Sequence, residues 1–391
     1  MSAVEKLRRK KYSTGKAAAA ILSVFSLISS AVVSWSCRPA QAADNPQKVY
    51  KKALPGYVYH FPQDHYSHDE FKTEWWYYTG HLKAKDGRRF GFELTFFRNG
   101  ANYQSGQKGK LALDNFYLAH FAVTDEQDKK FVFYEKLNRK GVKFADARQD
   151  IYHVYNEGWS VTQLGDKFVL KADGKDYAVN LILNAVKPPV VHGKDGVSQK
   201  ASCAGCASHY YSMPRLTCQG LIFVKDKPLE VTGQAWMDHE FGSNQLTGDQ
   251  VGWDWYSIQL SGNRELMLYV MRREDGTFEK QSSGTYIDAS GKVTHLNLAD
   301  FKIEKTGTWT SPKTKGVYPM GWKVTVPSQK ISLQLKPIMQ DQELLTKRST
   351  GVSYWEGAVD IFEGNSNTAG APVGEGYVEL TGYSEKFTKS L

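Results

Sequence analysis

Short apolar runs recur along the chain, and clusters of Gly, Asp and Asn separate them. No long segment repeats its apolar residues at the helical period. Several runs have the length and the Phe, Tyr, Val and Leu content of strands, for example 88–98, 130–137, 167–172 and 330–335. Turn sequences such as "SGNRE" at 261–265 predict hairpin connections between such runs. The pattern therefore predicts an all-β chain of antiparallel strands.

Two sequence signatures each occur twice, and they occur in the same order. "WWYYTGHL" at 75–82 parallels "WDWYSIQL" at 253–260, and "GWSVT" at 158–162 parallels "GWKVT" at 321–325. The spacing is too long for a solenoid repeat and is typical of a duplicated domain. We therefore predict that the chain contains an internal duplication.

A long irregular segment offers the natural boundary between the two halves. Residues 187–215 are rich in Gly, Ser and Pro and contain two cysteines. We predict an N-terminal domain over 43–215, including this loop, and a C-terminal domain over 216–391. Each would be an antiparallel barrel or sandwich, and a barrel of about eight strands has an interior just wide enough for a small ligand.

The first 42 residues are typical of an export signal. "KLRRKK" is a basic region, an apolar stretch follows it, and "AQA" ends in Ala42 as a small-residue cleavage site. The alternative is an uncleaved N-terminal membrane anchor, since the apolar stretch approaches the length that spans a bilayer. We predict a periplasmic or secreted protein. Most of the net charge of +9 lies in this leader, so the mature chain gives no reason to expect a nucleic-acid partner.

Three of the four cysteines follow the predicted cleavage site: Cys203, Cys206 and Cys218. Disulfides form in exported proteins, so we predict one disulfide from the "CAGC" loop to Cys218. A zinc site built from the three cysteines and His209 is the alternative.

One region gathers acids among tryptophans. In "QAWMDHEFG" (234–242), a strand would place Asp238 and Glu240 on one face and His239 on the other. In "GWDWYSIQL" (252–260), Asp254 would lie on the face opposite Trp253. A carboxyl among aromatic side chains is desolvated, its pKa rises, and it can act as a general acid.

A second cluster lies at 60–78, "HFPQDHYSHDEFKTEWWYY", which holds several histidines and acids. Its histidine spacing matches no strong metal signature, and we predict no metal ion. The segment is interpreted as a loop that leads into a strand, with Glu74 pointing inward.

Several long motifs stand out along the chain: "FPQDHYSHDEFKTEWWYYTGHL", "KPPVVHG", "YYSMPRL", "GQAWMDHEFG", "GWDWYSIQL" and "GEGYVELTGY". They resemble those of the carotenoid 1,2-hydratase (hydroxyneurosporene synthase) family, also described as the AttH lipocalin-like domain family. The resemblance runs from about Leu54 to Tyr383. It implies two tandem lipocalin-like (calycin) domains. It also implies addition of water to the terminal double bond of an acyclic carotenoid, without a cofactor.

The resemblance also implies roles for individual residues. Asp254 becomes the catalytic acid, supported by Asp238 and His239. The remaining candidates are assigned to the wall that binds the substrate: Glu74, Trp76, Trp236, Glu240, Trp253, Trp255 and Tyr256. Aromatic faces in such a wall would stabilise a tertiary carbocation.

Two functions remain open at this point. The first is a hydratase that acts on an isoprenoid or other hydrophobic alkene. The second is a lipocalin-like carrier without catalysis, associated with an ABC-type transporter. Both predict a small hydrophobic ligand, and the carrier does not need the acids.

Overall fold

The structure is a computed structural model that describes residues 48–101, 114–141, 143–244, 246–364 and 370–386. The predicted export signal lies outside these ranges. No helix in the described ranges has the length and apolarity needed to cross a bilayer. The helices that are described are three short 3₁₀ turns: Gln63–His65, Leu298–Asp300 and Pro327–Gln329.

The first sheet has 13 strands and is built from residues 73–244. Its strands are β1 (Thr73–Ala84), β2 (Arg89–Gly100), β3 (Asn115–Asp125), β4 (Lys130–Arg139), β5 (Ala145–Ala147), β6 (His153–Asn156), β7 (Trp159–Leu164), β8 (Lys167–Asp173), β9 (Tyr177–Ala185), β10 (Val190–Val191), β11 (Ser198–Gln199), β12 (Ala207–Val224) and β13 (Lys227–Asn244).

The second sheet has ten strands, and a separate two-stranded hairpin accompanies it. The strands of this half are β14 (Gln250–Leu260), β15 (Arg264–Arg273), β16 (Ser283–Ile287), β17 (Val293–Asn297), β18 (Lys302–Lys305), β19 (Thr308–Thr310), β20 (Val317–Pro319), β21 (Trp322–Val326), β22 (Ile331–Pro337), β23 (Glu343–Thr346), β24 (Val352–Glu363) and β25 (Gly374–Thr381). β19 and β20 form the hairpin.

Each sheet pairs its first strand with its last. β1 lies between β2 and β13, and β14 lies between β15 and β25, with antiparallel pairing throughout. This pairing joins the two ends of the chain segment within each sheet, and the ends of the strand order lie elsewhere, at β4 and β5 in the first sheet and at β17 and β18 in the second. The first sheet forms a near-closed barrel and the second a half-barrel. The all-β prediction with two antiparallel barrel-like halves is therefore confirmed.

The two sheets have the same strand order around their first strands, β2-β1-β13 in one and β15-β14-β25 in the other. One of the two repeated signatures lies on equivalent strands. Residues 75–82 lie on β1 and 253–260 on β14, which hold the same place in their sheets. The second pair does not match. Residues 158–162 lead into β7, the fifth strand beyond β1, whereas 321–325 lead into β21, the fourth beyond β14. The first sheet has an extra strand here, so the shared "GW" motif falls on non-equivalent strands.

The division between the sheets differs from the predicted domain boundary at residue 215. β12 (Ala207–Val224) runs straight through that position, and β12 and β13 complete the first sheet. The sheets divide between Asn244 and Gln250. The irregular loop before β12 resembled a linker because Gly, Ser and Pro are abundant there, but it is an excursion before the last hairpin of the first barrel.

Each half has its own apolar core, and a third core joins them. Trp76, Phe92 and Trp159 are among the residues buried in the first barrel. Tyr256 and Trp322 belong to the core of the second. A smaller cluster combines residues of both sheets: Tyr77, Tyr210, Trp236, Trp255, Met267, Tyr269, Met271, Ala358 and Tyr377. This joint cluster fixes one sheet against the other.

The disulfide joins Cys203 to Cys206, and Cys218 is a buried free thiol. The prediction of a bond to Cys218 was therefore wrong. Cys218 lies in β12 among the first barrel's core residues, where it packs as a small apolar side chain. The alternative zinc site fails as well, because two of its proposed ligands are bonded to each other.

Candidate active site between the two sheets

A cavity of about 430 Å³ lies between the two sheets. Strands β1, β2 and β13 line it on one side, and β14, β24 and β25 line it on the other. Side chains alternate along a strand, so each strand sends every second residue into the cavity. The pairs that do so are Trp75 and Tyr77 on β1, Glu93 and Thr95 on β2, Asp238 and Glu240 on β13, and Trp253 and Trp255 on β14.

Glu93 and Glu356 face this cavity from different sheets, and each is 1% exposed. One oxygen of each is hydrogen-bonded. The Tyr77 hydroxyl donates to Glu356 Oε1 at 2.6 Å, and the Thr95 and Tyr354 hydroxyls donate to Glu93 Oε1 at 3.0 and 3.1 Å. The other oxygen of each, Oε2, has no hydrogen-bond partner among the residues that the structure describes. A buried carboxyl with a free oxygen and no adjacent cation favours its protonated form.

The pKa values of the cavity carboxyls follow from this environment. Burial raises the pKa of Glu93 to about 7. Burial, together with the nearby Glu93 and Glu379 carboxyls, raises the pKa of Glu356 well above its usual range. Burial also raises the pKa of Glu379 to about 8, although a hydrogen bond from Trp253 opposes the shift. Near neutral pH, protonated carboxyls therefore line the cavity.

Asp238 differs from the glutamates because donors surround it. The Trp236 indole donates to Oδ1 and the Tyr210 hydroxyl donates to Oδ2, both at 2.6 Å, and the Ser212 hydroxyl also donates to Oδ1. Burial raises the pKa of Asp238 to about 7, while these hydrogen bonds favour the ionised form. Asp238 is thus arranged as an acceptor that orients Tyr210, whose oxygen also accepts a hydrogen bond from the Trp255 indole at 3.0 Å.

Lys200 brings a buried positive charge to the same cavity. Its Nζ lies 3.0 Å from Glu240 Oε1 and 4.2 Å from the centre of the Tyr269 ring. Burial alone would lower the pKa of Lys200, but the Glu240 carboxylate beside it raises that pKa overall. Lys200 therefore stays charged in the cavity.

Aromatic rings form much of the remaining wall. Tyr77 packs edge-on against Trp255 at 5.2 Å between ring centres, and Trp236 packs edge-on against Trp255 at 6.2 Å. Trp75, Phe97 and Trp253 also line the cavity. Faces of such rings attract a positive charge. The cavity thus combines proton donors with surfaces that can stabilise a cation.

Four of the predicted site residues line the cavity: Asp238, Glu240, Trp253 and Trp255. Trp236 lies behind Asp238 and orients it.

Asp254 does not line the cavity. It accepts hydrogen bonds from Arg272 Nε at 2.9 Å and from the Tyr383 hydroxyl at 3.0 and 3.1 Å. The alternation of β14 explains this placement, since Trp253 and Trp255 face the cavity and the residue between them must face away. Tyr256, two residues on, packs in the second core with its ring 5.9 Å from Trp322. The expectation that Asp254 and Asp238 face one ligand is therefore wrong.

His239, Glu74 and Trp76 also lie away from the cavity, on the other face of β13 and β1. His239 and Glu74 belong to a buried group that we call the Glu74 network: Asp64, His68, Glu74, Arg98 and His239. Trp76 stacks on His239 at 4.9 Å between ring centres, and its indole donates to the His65 carbonyl.

Every carboxyl in the Glu74 network has charged or hydrogen-bonding partners. Glu74 lies 3.0 Å from Arg98 Nε, 2.8 Å from His68 Nδ1 and 2.9 Å from His239 Nε2. Arg98 and the two histidines hold the pKa of Glu74 well below its usual range, against the opposing effect of burial. Asp64 lies 3.1 Å from the other ring nitrogen of His68. The two carboxylates raise the pKa of His68 to about 9, although burial opposes this.

His68, Glu74 and His239 could also hold a metal ion, since one ligand atom of each lies within 4.8 Å of the others. However, both ring nitrogens of His68 face carboxylates, and Arg98 faces the second oxygen of Glu74. Protonated His68 and Arg98 therefore already balance the negative charge of this group.

Sequence reasoning missed Glu93, Glu356 and Glu379. Each is a single acid within a largely apolar run: "GFELTFF", "SYWEGAV" and "GYVELTGY". That pattern is a usable signal, because a buried strand rarely holds an unpaired acid without a reason. The sequence-based prediction relied on clusters of acids instead. One of those clusters forms part of the Glu74 network, in which every carboxyl has a partner within the network.

Comparisons with known proteins agree with this fold. The AttH-like family model matches residues 52–383. The chain belongs to the AttH-like family. A crystal structure of an AttH candidate from Nitrosomonas europaea is 33% identical, with a TM-score of 0.77, and the match covers 85% of this chain and 99% of that chain. Kievitone hydratase from Nectria haematococca is 13% identical with a TM-score of 0.64, and the match covers 87% of this chain and 98% of that chain, which shows a shared fold. A search of curated proteins found no match.

Proposed function

We propose that this AttH-like protein adds water to a carbon–carbon double bond of a hydrophobic ligand, by acid catalysis in the cavity between its sheets. The unpartnered oxygens of Glu93 and Glu356 carry the proposal. They are buried, they face the cavity from opposite sheets, and burial raises the pKa of both. Glu93 accepts hydrogen bonds from two hydroxyls and Glu356 from one, so Glu93 is better placed to carry the negative charge of a base.

In this scheme Glu356 is the acid and Glu93 is the base. The Glu356 carboxyl transfers its proton to one alkene carbon, and the π bond breaks to leave a carbocation on the other. Trp75, Trp253 and Trp255 stabilise that cation through their ring faces. Water then forms the new C–O bond, and Glu93 accepts the proton that the water loses. Proton transfer from Glu93 back to Glu356 through solvent completes the cycle.

Glu356 and Glu93 are better suited than Asp254 to proton transfer with a ligand in the cavity. Burial raises the pKa of Asp254 although Arg272 opposes the shift, but Arg272 and the Tyr383 hydroxyl occupy its oxygens and it does not face the cavity. Asp238 can position the ligand or Tyr210, since three donors already occupy its two oxygens. The roles that the family resemblance implied for Asp254 and His239 therefore pass to Glu356 and Glu93.

The ligand that we propose is an acyclic isoprenoid with a terminal trisubstituted alkene. A cavity of about 430 Å³ lies within the range of small-molecule sites, and several Trp, Tyr and Phe side chains line it. Such an alkene gives a tertiary cation, which the aromatic wall and the nearby carboxylates can stabilise. A long carotenoid would place only its end group here.

The test is water addition to lycopene and to citronellol, which share this end group, with product mass as the readout. Glu356→Gln should lower turnover about 10²–10⁴-fold, the usual contribution of general acid catalysis. Asp254→Asn is the matched control and should retain the wild-type rate when folded. Equal loss in both variants, or full activity in Glu356→Gln, would contradict the proposal. A wild-type protein that binds both ligands and hydrates neither would instead indicate a carrier.

A further inference from the structure

A disulfide lies next to the wall of the cavity. Cys203 and Cys206 are bonded at the tip of the hairpin between β11 and β12. Cys203 is exposed, while Cys206 is buried at 2% exposure. The side-chain amide of Asn244, a cavity-lining residue, lies 3.3 Å from the Cys206 sulfur.

The same loop holds the buried cation of the cavity. Lys200 begins the loop, and its backbone N–H donates to the Cys206 carbonyl at 2.8 Å. The Lys200 carbonyl accepts a hydrogen bond at 2.9 Å from the side chain of Gln250, another cavity-lining residue. The Lys200 side chain then reaches Glu240. Lys200 lies just before the ring that the disulfide closes, and its backbone hydrogen bond to Cys206 ties the position of this charge to that ring.

The disulfide is poorly placed to serve as a general stabiliser of the fold. Cross-links stabilise a protein mainly by restricting the unfolded chain, and the effect grows with the length of the closed loop. Here the sequence separation is only 3. Pairs in a Cys-X-X-Cys arrangement with one accessible sulfur are instead the ones that exchange readily with external thiols.

We propose that the Cys203–Cys206 disulfide is a thiol–disulfide exchange site whose redox state controls whether Lys200 occupies the cavity. In the oxidised protein the closed loop holds Lys200 against Glu240. In the reduced protein the loop relaxes, and the ammonium group moves toward water. The ammonium group regains its hydration there, and water enters the cavity to hydrate Glu240 in its place, which offsets the loss of the buried ion pair.

The exchange needs an external dithiol and is balanced. One thiolate of the dithiol attacks the exposed Cys203 sulfur, the Cys203–Cys206 bond breaks, and Cys206 leaves as a thiolate. The second thiol of the dithiol then displaces Cys203 from the mixed disulfide. The protein disulfide gains two electrons and ends as two thiols, while the dithiol loses two electrons and ends as a disulfide.

The structure provides a matched control for Lys200. Lys187 is buried to the same extent, at 7% exposure against 6% for Lys200. Its Nζ lies 2.6 Å from Glu265, so it too is held in a buried ion pair. Lys187 lies before β10, outside the disulfide loop. Reduction of the disulfide should affect Lys200 and leave Lys187 unchanged.

The experiment is amine acetylation of the folded full chain, read at each lysine by mass spectrometry, before and after treatment with dithiothreitol. Exposure of a protected group raises its labelling rate, so we expect at least about tenfold faster labelling of Lys200 after reduction and no change at Lys187. Cys203→Ser/Cys206→Ser should show the fast rate without reductant. Cys218→Ala should keep the slow rate.

Three results would overturn the proposal. The first is a disulfide that resists dithiothreitol in the folded protein. The second is slow labelling of Lys200 once Cys203 and Cys206 are found as thiols. The third is an equal increase at Lys187, which would mean that the whole protein unfolds. None of these readouts depends on hydration, so failure here is distinguishable from failure of the proposed function.

Discussion

Strands β1 and β13 separate two regions that bury acids in opposite ways. One face carries the Glu74 network inside the first barrel, where each carboxyl meets a histidine or Arg98. The other face carries Tyr77, Asp238 and Glu240 into the cavity, opposite Glu356. On one side of these strands lies an ionised acid, Glu74, and across the cavity on the other side lies a protonated one, Glu356.

The difference lies in the partners and not in the depth of burial. Glu74 is 0% exposed and Glu356 is 1% exposed. Glu74 has cations on both oxygens and a lowered pKa, whereas Glu356 has one hydroxyl donor, an unpartnered oxygen and a raised pKa. A buried acid that is fully satisfied stabilises a fold, and one that is left unsatisfied is available for chemistry.

The largest effect expected from this comparison is on stability. Glu74→Gln would leave Arg98 and His68 buried without their shared carboxylate. Removing one partner of a buried ion pair costs about 3–5 kcal/mol, so the free energy of unfolding should fall by that amount in urea denaturation. Glu356→Gln is the matched change on the other face and should cost no more than about 1 kcal/mol, because a neutral group replaces a neutral group. Similar losses in the two variants would remove the distinction.

The pH dependence of stability separates the two groups further. Burial raises the pKa of Glu93 from 4.5 to about 7. A folded carboxyl with a raised pKa binds its proton more tightly than the unfolded chain does, so its contribution is most favourable below pH 4.5 and is lost as the pH rises through 7. Relative to Glu93→Gln, the wild type should therefore lose up to about 3 kcal/mol across this interval.

The Glu74 network should respond in the opposite direction. The pKa of Glu74 is lowered, so its stabilisation is present above its unfolded value of 4.5 and is lost as the pH falls through the folded value. Urea denaturation at several pH values measures both trends. Parallel profiles for Glu74→Gln and Glu93→Gln would contradict the assignment of opposite charge states.

Much of the fold could be predicted from the sequence, because hydrophobic alternation and turn residues act locally. The faces of β13 and β14 were predicted correctly by the same alternation. The face of β14 that lines the cavity was predicted wrongly, because it depends on which side of β14 meets the other sheet. That contact brings Trp255 against Tyr77 over a long sequence separation, and no local pattern encodes it. The cavity acids on β2, β24 and β25 do carry a local signal, an acid within an apolar run, but no local pattern shows that the three converge on one cavity.

The smallest effect concerns Asp254, which lies outside the cavity. Asp254→Asn would weaken a charged hydrogen bond to Arg272 and keep the shape of the side chain. Hydrogen bonds to charged groups contribute about 1.5–3 kcal/mol, so we expect a stability loss of about 1–3 kcal/mol in urea denaturation. Ligand affinity, measured by tryptophan fluorescence quenching with citronellol, should stay at the wild-type value. A large loss of affinity with stability intact would return Asp254 to the site.

The central claim is that Glu356 is protonated near neutral pH while Glu74 is ionised. Infrared difference spectroscopy measures this directly, because the carbonyl stretch of a protonated carboxyl is separate from the bands of a carboxylate. At neutral pH the wild type should show protonated-carboxyl absorbance that Glu356→Gln reduces and Glu74→Gln leaves in place. Absence of that absorbance in the folded wild type, or its loss in Glu74→Gln instead of Glu356→Gln, would contradict the account.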